Sequence, residues 1–412
     1  MEQFSFFPYS WHIDEDEKDA TAIRIYGLSK ENENVCVKVH NFTPYVYIEL
    51  PTHIQWTQGK AQMVGNKIDQ LLHDKKPVKK SLVYKHKLYG AHFEGGKRKL
   101  FPSLFCNFST RSDIRFLGYK IRSKINVLGL GLLNLKIHES DATEILQLIS
   151  CRDLPTTGWI KFSGKRTNEF DKITLCKHEF TVRWKNLTPI SEEEIKYLAR
   201  PKIMGFDIEV NSTNTSRMPR ADVDGDKIFQ ISCIFCREGD DQKDYVKYIL
   251  SLGNPNQKVT GKDVNILKFN SEGELLEGFT KLVRTENPNI ISGYNILGFD
   301  IPYMIDRAKF DGRCFKDFVK MGFHKFNDAK EKTIKWSSSA YGNQEFQYLD
   351  TEGRVFVDLL PLVKRDYKIS NYKLKTISTH FLGDTKDPLT VKGIFKCYRE
   401  GMKGGKLGDK AM

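Results

Sequence analysis

Two carboxylates set two residues apart inside an apolar run constrain this chain more than anything else in it. The run is Ile203–Val210, IMGFDIEV, with Asp207 and Glu209 between Phe206, Ile208 and Val210. A strand places side chains i and i+2 on one face. Asp207 and Glu209 therefore point one way, and the three apolar residues point the other, where they can pack. Like charges on one face repel unless protons or a cation satisfy them. Oxygen ligands with open coordination positions suit Mg²⁺ or Mn²⁺. On this stretch alone, a strand end in solvent or a pairing with Lys or Arg accounts for the carboxylates equally well.

A second stretch, NIISGYNILGFDIPYMIDRA from Asn289, reads as a strand, a Gly-Tyr-Asn turn and a helix opening at Phe299 or Asp300. Ile301, Met304, Ile305 and Ala308 fall at i, i+3, i+4 and i+7 and form a core face. Pro302 sits in the first turn, where it is tolerated. Asp300 is thereby held at a helix start. It is either a cap, a role Asp fills well, or a group displayed where open α/β sheets bind ligands.

The surroundings divide the chain of 412 residues into two parts. Residues 1–198 mix short β-rich runs with helices at TQGKAQMVGNKIDQLLHD and SDATEILQLISCRD, an α+β region. Ser191 with its following glutamates predicts a helix over PISEEEIKYLAR, ending before Pro201. Residues 199–412 alternate strand and helix, which predicts an α/β domain with a mixed sheet flanked by helices. Asp358, in VFVDLLPLV, reads as the cap of a following helix. The final YREGMKGGKLGDKAM reads as a basic, glycine-rich lead-up to a helix the chain does not reach. The loop NSTNTSRMPRADVDGD lacks EF-hand spacing, so calcium is set aside. Cys233 and Cys236 form a lone CxxC in an apolar run and read as buried free thiols rather than half of a zinc site. The ten histidines show no HxxxH or HExxH spacing, and no P-loop or GxSxG is present. The N-terminus turns acidic at once and no apolar run approaches a membrane span, which leads to the expectation of an intracellular protein.

The net charge of +13 favours a polyanionic partner. HDKKPVKKSLVYKHKLYGAHFEGGKRKLF concentrates eight Lys and one Arg among Tyr84, Tyr89, Phe93 and Phe101. Cations there match phosphates and rings can stack on bases. Lys79, Lys80, Lys85, Lys87, Lys97 and Arg98 are the candidates, with a solvated basic face over buried aromatics as the simpler account of any one of them. STRSDIRFLGYKIRSK carries a similar cluster.

FDIE followed by YNILGFDIPY resembles the first two exonuclease motifs of family B DNA polymerases, Asp-x-Glu and Asn-x-x-x-Phe-Asp, at every defining position. KIFQISCIF resembles the second strand of that domain, and DLLPLVKRDYKISNYKLKTISTHFLGDTKD the segment after the second motif in the delta-type group. NFTPYVYIELP and LPTTGWIKF are similar to the N-terminal region of the same group, which includes polymerases of large DNA viruses. The resemblance implies a 3′→5′ proofreading exonuclease on an RNase H-like (DnaQ-like) sheet, with two divalent ions, Mg²⁺ or Mn²⁺. Asp207 would bridge both ions, Glu209 would hold one ion and orient its water, and Asp300 would act on the second ion through water. Asn295 and Phe299 would lie beside the unpaired 3′ end. The implied partners are template-primer DNA and its single-stranded 3′ end, the remainder of a polymerase, and a sliding clamp. The implied place of work is the nucleus or a viral replication site.

The family's third motif, Tyr-x-x-x-Asp, has no match here, since Tyr367, Tyr372 and Tyr398 are followed at the fourth position by Asn371, Thr376 and Met402. No polymerase palm follows either. The expectation is therefore a portion of a polymerase with weak or no nuclease activity by itself. A split polymerase or a non-catalytic DNA-binding module stands as the alternative.

Overall fold

Period-2 burial builds the strands of the first unit, as where Val35, Val37 and Val39 of Asn34–His40 are wholly buried. The computed structural model describes residues 1–14, 22–87, 92–195, 197–255, 263–338, 342–383 and 389–405. Glu2–Asp14, Ala22–Leu28, Asn34–His40, His178–Arg183 and Ile160–Arg166 pair in that order. Ile160–Arg166 also pairs back to Glu2–Asp14, closing the ring around Phe6, Ile25, Val37, Phe162 and Phe180.

A four-stranded antiparallel sheet lies in the same unit, in the spatial order Lys136–His138, Tyr45–Glu49, Phe101–Asn107, Lys79–Lys85. Helices Gln58–Leu72 and Arg111–Lys120 bury Val64, Ile68, Ile114 and Leu117 against its Val46, Ile48, Leu104 and Cys106. In chain order this is strand, helix, strand, strand, helix, strand, with the first and third strands central, the split βαβ arrangement.

The second unit comprises Phe170–Lys177 and Leu198–Met412, so a short segment inside the N-terminal part of the sequence belongs to it. Within that unit, Leu175 N–H donates to Phe323 O, and Thr174 bridges His324. Its sheet is mixed, as the strand and helix alternation predicts. The order is Val264–Phe269, Val246–Leu252, Ile228–Arg237, Lys202–Val210, Ile290–Gly293, Val355–Asp358. Ile228–Arg237 runs antiparallel to both neighbours, and the remaining pairs are parallel. Helix Glu272–Glu286, started by Ser271 Oγ accepting the Glu274 N–H, buries Leu275, Leu276, Phe279 and Val283. Helix Asp300–Asp311 buries Ile301, Met304, Ile305 and Ala308, the face that their spacing predicts. Each of these side chains larger than alanine contributes roughly 1.5–3 kcal/mol on leaving water.

Several elements differ from the sequence reading. The helix expected from Ser191 is a single 3₁₀ turn, Glu192–Glu194. Tyr197 and Leu198 are exposed, so no apolar face docks a longer helix, and Pro201 disfavours helical backbone at Arg200. An edge strand, Val264–Phe269, and a hairpin, Lys330–Ser338 with Gly342–Asp350, were not anticipated. Helix Val391–Gly401 occupies the start of the basic C-terminal stretch, buries Phe395 and stacks Tyr398 on Phe229 at 4.4 Å. Residues 406–412 and Tyr89 lie outside the described residues. Among the described residues no helix is long and apolar enough to cross a membrane. Cys233 and Cys236 are free thiols, the first buried and the second half-buried.

Candidate active site

Strand Lys202–Val210 obeys its alternation: Met204, Phe206, Ile208 and Val210 are buried, while Asp207 is exposed and Glu209 half-buried on the opposite face. Hydrophobic packing on one face thus fixes which way the carboxylates point.

Asp300 reaches this strand from the neighbouring segment. Gly293 ends the adjacent parallel strand, where a Cβ would stand 2.8 Å from the Phe206 carbonyl oxygen and 2.4 Å from Ile296 Cγ2. Only glycine lets the turn lie this close to the strand. The chain then passes through Asn295 in the left-handed region at φ 66°, a conformation Asn tolerates better than most residues. The Asn295 carbonyl accepts from the Gly298 and Phe299 amides at 3.1 and 3.0 Å, and the helix begins at Asp300.

Asp300 does not cap that helix. Its Oδ1 accepts the Ile208 N–H at 3.2 Å, between Asp207 and Glu209. The group is 3% exposed. Burial, and next the negative charge of Asp207, push its carboxyl up to about 7 against the pull of the Ile208 and Asp300 amides, and Asp358 adds to the rise. Asp207 is therefore close enough to oppose the ionisation of Asp300. Among the described residues no three His, Cys, Asp or Glu side chains converge tightly enough to hold an ion unaided. The donor set nonetheless fits a hard divalent cation, since carboxylate oxygens are the ligands such ions prefer and the Asp207 charge opposes that of Asp300 until a cation offsets it.

Asp358 does more than the sequence reading gave it. It caps helix Leu359–Asp366 through the Leu360 N–H at 2.9 Å. It also accepts the Asn295 N–H at 2.8 Å and the Leu297 N–H at 3.0 Å, clamping the turn that delivers Asp300. Strand Val355–Asp358 brings it there by pairing in parallel with Ile290–Gly293, register Gly293↔Asp358. The signal available in the sequence was an acid ending an apolar strand, but its partners lie some sixty residues away.

Asn295 and Phe299 are half-buried beside this turn, and the Phe299 ring lies 5.6 Å from that of Tyr303. The Tyr303 hydroxyl donates to the Asp226 carbonyl at 2.7 Å. The Asp226 side chain organises the loop after the carboxylate strand, accepting from the Thr213 amide and hydroxyl, the Arg217 guanidinium and the Arg220 amide. Burial works against its charge, but these bonds prevail and hold its carboxyl near about 2. Arg307, bound to the Glu272 carboxylate, donates to the carbonyls of Ala221, Val223 and Asp224 in the same loop.

The basic candidates lie in the first unit. Lys79, Lys80 and Lys85 share strand Lys79–Lys85, and Lys97–Arg98 form one side of a short exposed hairpin with Phe93–Glu94. Lys80 is turned inward to Asp69 and the Gly65 carbonyl, which removes its ammonium from any outward row. Lys87 pairs with Glu49 at 2.6 Å.

Residues 135–377 match the family model described as DNA polymerase family B, exonuclease domain. Among curated relatives, "DNA polymerase 120R" of Invertebrate iridescent virus 3 is 42% identical over 97% of this chain and 36% of its own length. "DNA polymerase 037L" of Invertebrate iridescent virus 6 is 37% identical over 97% of the chain and 34% of its length. "DNA polymerase delta catalytic subunit" of Caenorhabditis elegans is 28% identical over 90% of the chain and 35% of its length. The chain thus spans about a third of these relatives. In fold it is similar to the family B DNA polymerase of the hyperthermophilic archaeon Pyrobaculum calidifontis, with TM-score 0.62 and 16% identity over 96% of this chain and 42% of that one.

Proposed function

Since the chain belongs to DNA polymerase family B, by way of its exonuclease domain, we propose that it is the N-terminal and 3′→5′ editing portion of a replicative polymerase. The second unit is then an RNase H-like exonuclease domain. The observation that carries this reading is the delivery of Asp300 to the Asp207–Glu209 strand, through the Gly293 approach and the Ile208 N–H bond. DNA synthesis belongs to the parent enzyme, since the relatives' names describe proteins about three times as long.

Asp207, Glu209 and Asp300 would hold two divalent ions together with water and the scissile phosphate. Bound there, such ions stabilise charge on the phosphate and lower the pKa of the attacking water. The chain's own residues set the geometry. The Ile208 N–H orients Asp300, Asp358 holds the turn, and Asn295 and Phe299 flank the terminal nucleotide, Phe299 offering its ring to the unpaired base. Template-primer DNA is the substrate. The fourth carboxylate expected from the family's third motif is missing from this sequence, so trimming by this chain alone should be weak.

The test is binding of a fluorescent single-stranded oligonucleotide, with a free or a blocked 3′ end, with and without Mg²⁺. A gain in affinity that needs both the free end and the ion, and disappears in Asp207→Ala, is the expected result. Equal binding under all four conditions, unchanged in the variant, describes a DNA-binding scaffold without an editing site and overturns the reading.

A further inference from the structure

The hairpin Lys330–Ser338 with Gly342–Asp350 has two unlike faces. Opposite residues of an antiparallel pair share a face, as do i and i+2 along a strand. One face therefore carries Gln347 and Leu349, and Leu349 is wholly buried. The other carries Ile334 beside Phe346 and Trp336 beside Gln344. Ile334 and Trp336 are 46% and 41% exposed, so this apolar row stands outside the core. It forms one wall of a cavity of ≈ 420 Å³, whose other wall is Pro361 and Leu362 of helix Leu359–Asp366. Tyr372, Lys364 and Arg365 complete the lining.

This lining suits one free nucleotide. Trp336, Phe346 and Tyr372 offer rings to a base, and the Gln344 amide can both donate to and accept from its edge. Lys364 and Arg365, in the last turn of the helix, offer cations to a phosphate. Asp366 engages Arg365 through Nε and Nη2 at 2.7 and 2.9 Å, which leaves the exposed Lys364 as the principal cation. The volume holds a mononucleotide with its solvent. Along the hairpin the lysines are matched by acids, Lys335 by Glu345 at 2.9 Å and Lys332 by Asp350. The phosphates of a continuing strand would meet those carboxylates, whereas a single phosphate needs only the helix end.

Both walls are bonded to the turn that brings Asp300 to its strand. On the hairpin side, the Gln347 N–H donates to the Leu297 carbonyl at 3.2 Å. On the helix side, Asp358 caps the helix and also holds the Asn295 and Leu297 amides. The Tyr294 hydroxyl donates to the Tyr372 carbonyl at 2.7 Å. A ligand that bridges hairpin and helix therefore restricts that turn as well. We infer that the cavity binds a nucleoside 5′-monophosphate, with its base against Trp336 and its phosphate at Lys364, and that occupancy steadies the Asp300 turn. Cleavage of a terminal phosphodiester from the 3′ end releases a compound of this class. That role as a product site rests on the editing reading above; the binding itself needs neither a metal ion nor a DNA end.

The experiment titrates the whole chain with dAMP in EDTA, where no ion can hold a ligand at the carboxylates. Calorimetry should give one site with a dissociation constant of about 1 mM or tighter. Trp336→Leu should weaken binding about tenfold, the loss of one stacked base. Lys364→Gln should weaken dAMP and leave deoxyadenosine unchanged. Both side chains are exposed, so neither replacement disturbs the core. Asp207→Ala should bind dAMP like wild type. Hydrogen exchange should show dAMP slowing the Asn295 and Leu297 amides in wild type but not in Trp336→Leu. No saturable binding by wild type, or equal binding by both cavity variants, overturns the site. Binding of a single-stranded oligonucleotide but not of dAMP overturns the free nucleotide as occupant. Bound dAMP with unchanged amide exchange overturns the coupling to the turn. Saturable dAMP binding by a chain that shows no ion-dependent preference for a free 3′ end supports the site and overturns only its role for product.

Discussion

Replacing Asp300 with Asn should stabilise the metal-free protein at alkaline pH, although it removes a residue of the proposed active site. In the folded chain the carboxyl titrates at about 7, against an ordinary value of 3.8, because it is buried and faces Asp207. Below 3.8 both folded and unfolded chains hold the proton and the group is neutral in each. Between 3.8 and about 7 only the folded chain holds it, so stability falls as pH rises; above about 7 the loss is complete. At ~1.4 kcal/mol per pH unit the full span is about 4 kcal/mol. The Asn carbonyl can still accept the Ile208 N–H, but its amide group needs a partner, at a cost of about 1 kcal/mol. Asp300→Asn should therefore be about 2–3 kcal/mol more stable than wild type at pH 8, and equal or slightly less stable near pH 4.5. Hydrogen exchange of the Met204 and Phe206 amides in EDTA, corrected for intrinsic rate, reads the opening of this sheet directly. Mg²⁺ added at pH 8 should stabilise wild type more than the variant. Parallel pH profiles for the two proteins, or a variant less stable at pH 8, would refute the electrostatic argument.

Other perturbations follow from the same geometry. Asp358→Asn leaves one acceptor oxygen for three amides, which should cost about 1–3 kcal/mol and weaken metal-dependent binding of a free 3′ end about tenfold, measured by anisotropy against a blocked-end control. Arg307→Met strands the Glu272 carboxylate, which also accepts the Ile228 N–H at 2.7 Å; urea denaturation should show a loss of about 3–5 kcal/mol, partly recovered in Arg307→Met/Glu272→Gln. Gly293→Val forces the turn away from the Phe206 carbonyl, and Mn²⁺ binding followed by electron paramagnetic resonance should be lost with a stability decrease of about 1–3 kcal/mol.

Local patterns carried the parts of this fold that local physics decides. Strand Lys202–Val210 and the core face of helix Asp300–Asp311 were legible because periodic apolar residues are buried wherever the element packs. Hairpin Lys330–Ser338/Gly342–Asp350 was not, because the first of its strands is exposed almost throughout and shows no alternation to detect. The glutamate-rich turn after Ser191 had a helix-start signal but no packing surface. Long-range pairings lay beyond the sequence altogether. They include the clamp of Asp358 on Asn295 and Leu297. The acids of the candidate site were legible by type and spacing. The environment that raises the Asp300 carboxyl was not, since it depends first on burial at the start of a helix and then on Asp207, which comes from a strand far earlier in the chain.

The central claim is that Asp207, Glu209 and Asp300 form one divalent-ion site. Titrating the chain with Mn²⁺ at pH 8 in the presence of a free-ended single-stranded oligonucleotide, and counting bound ions by electron paramagnetic resonance, tests it most directly. The account predicts two ions with wild type and a spin-coupled signal, reduced to at most one in Glu209→Gln or Asp300→Asn and none in Asp207→Asn. Mn²⁺ binding that is absent from wild type, or that survives Asp207→Asn undiminished, would contradict it.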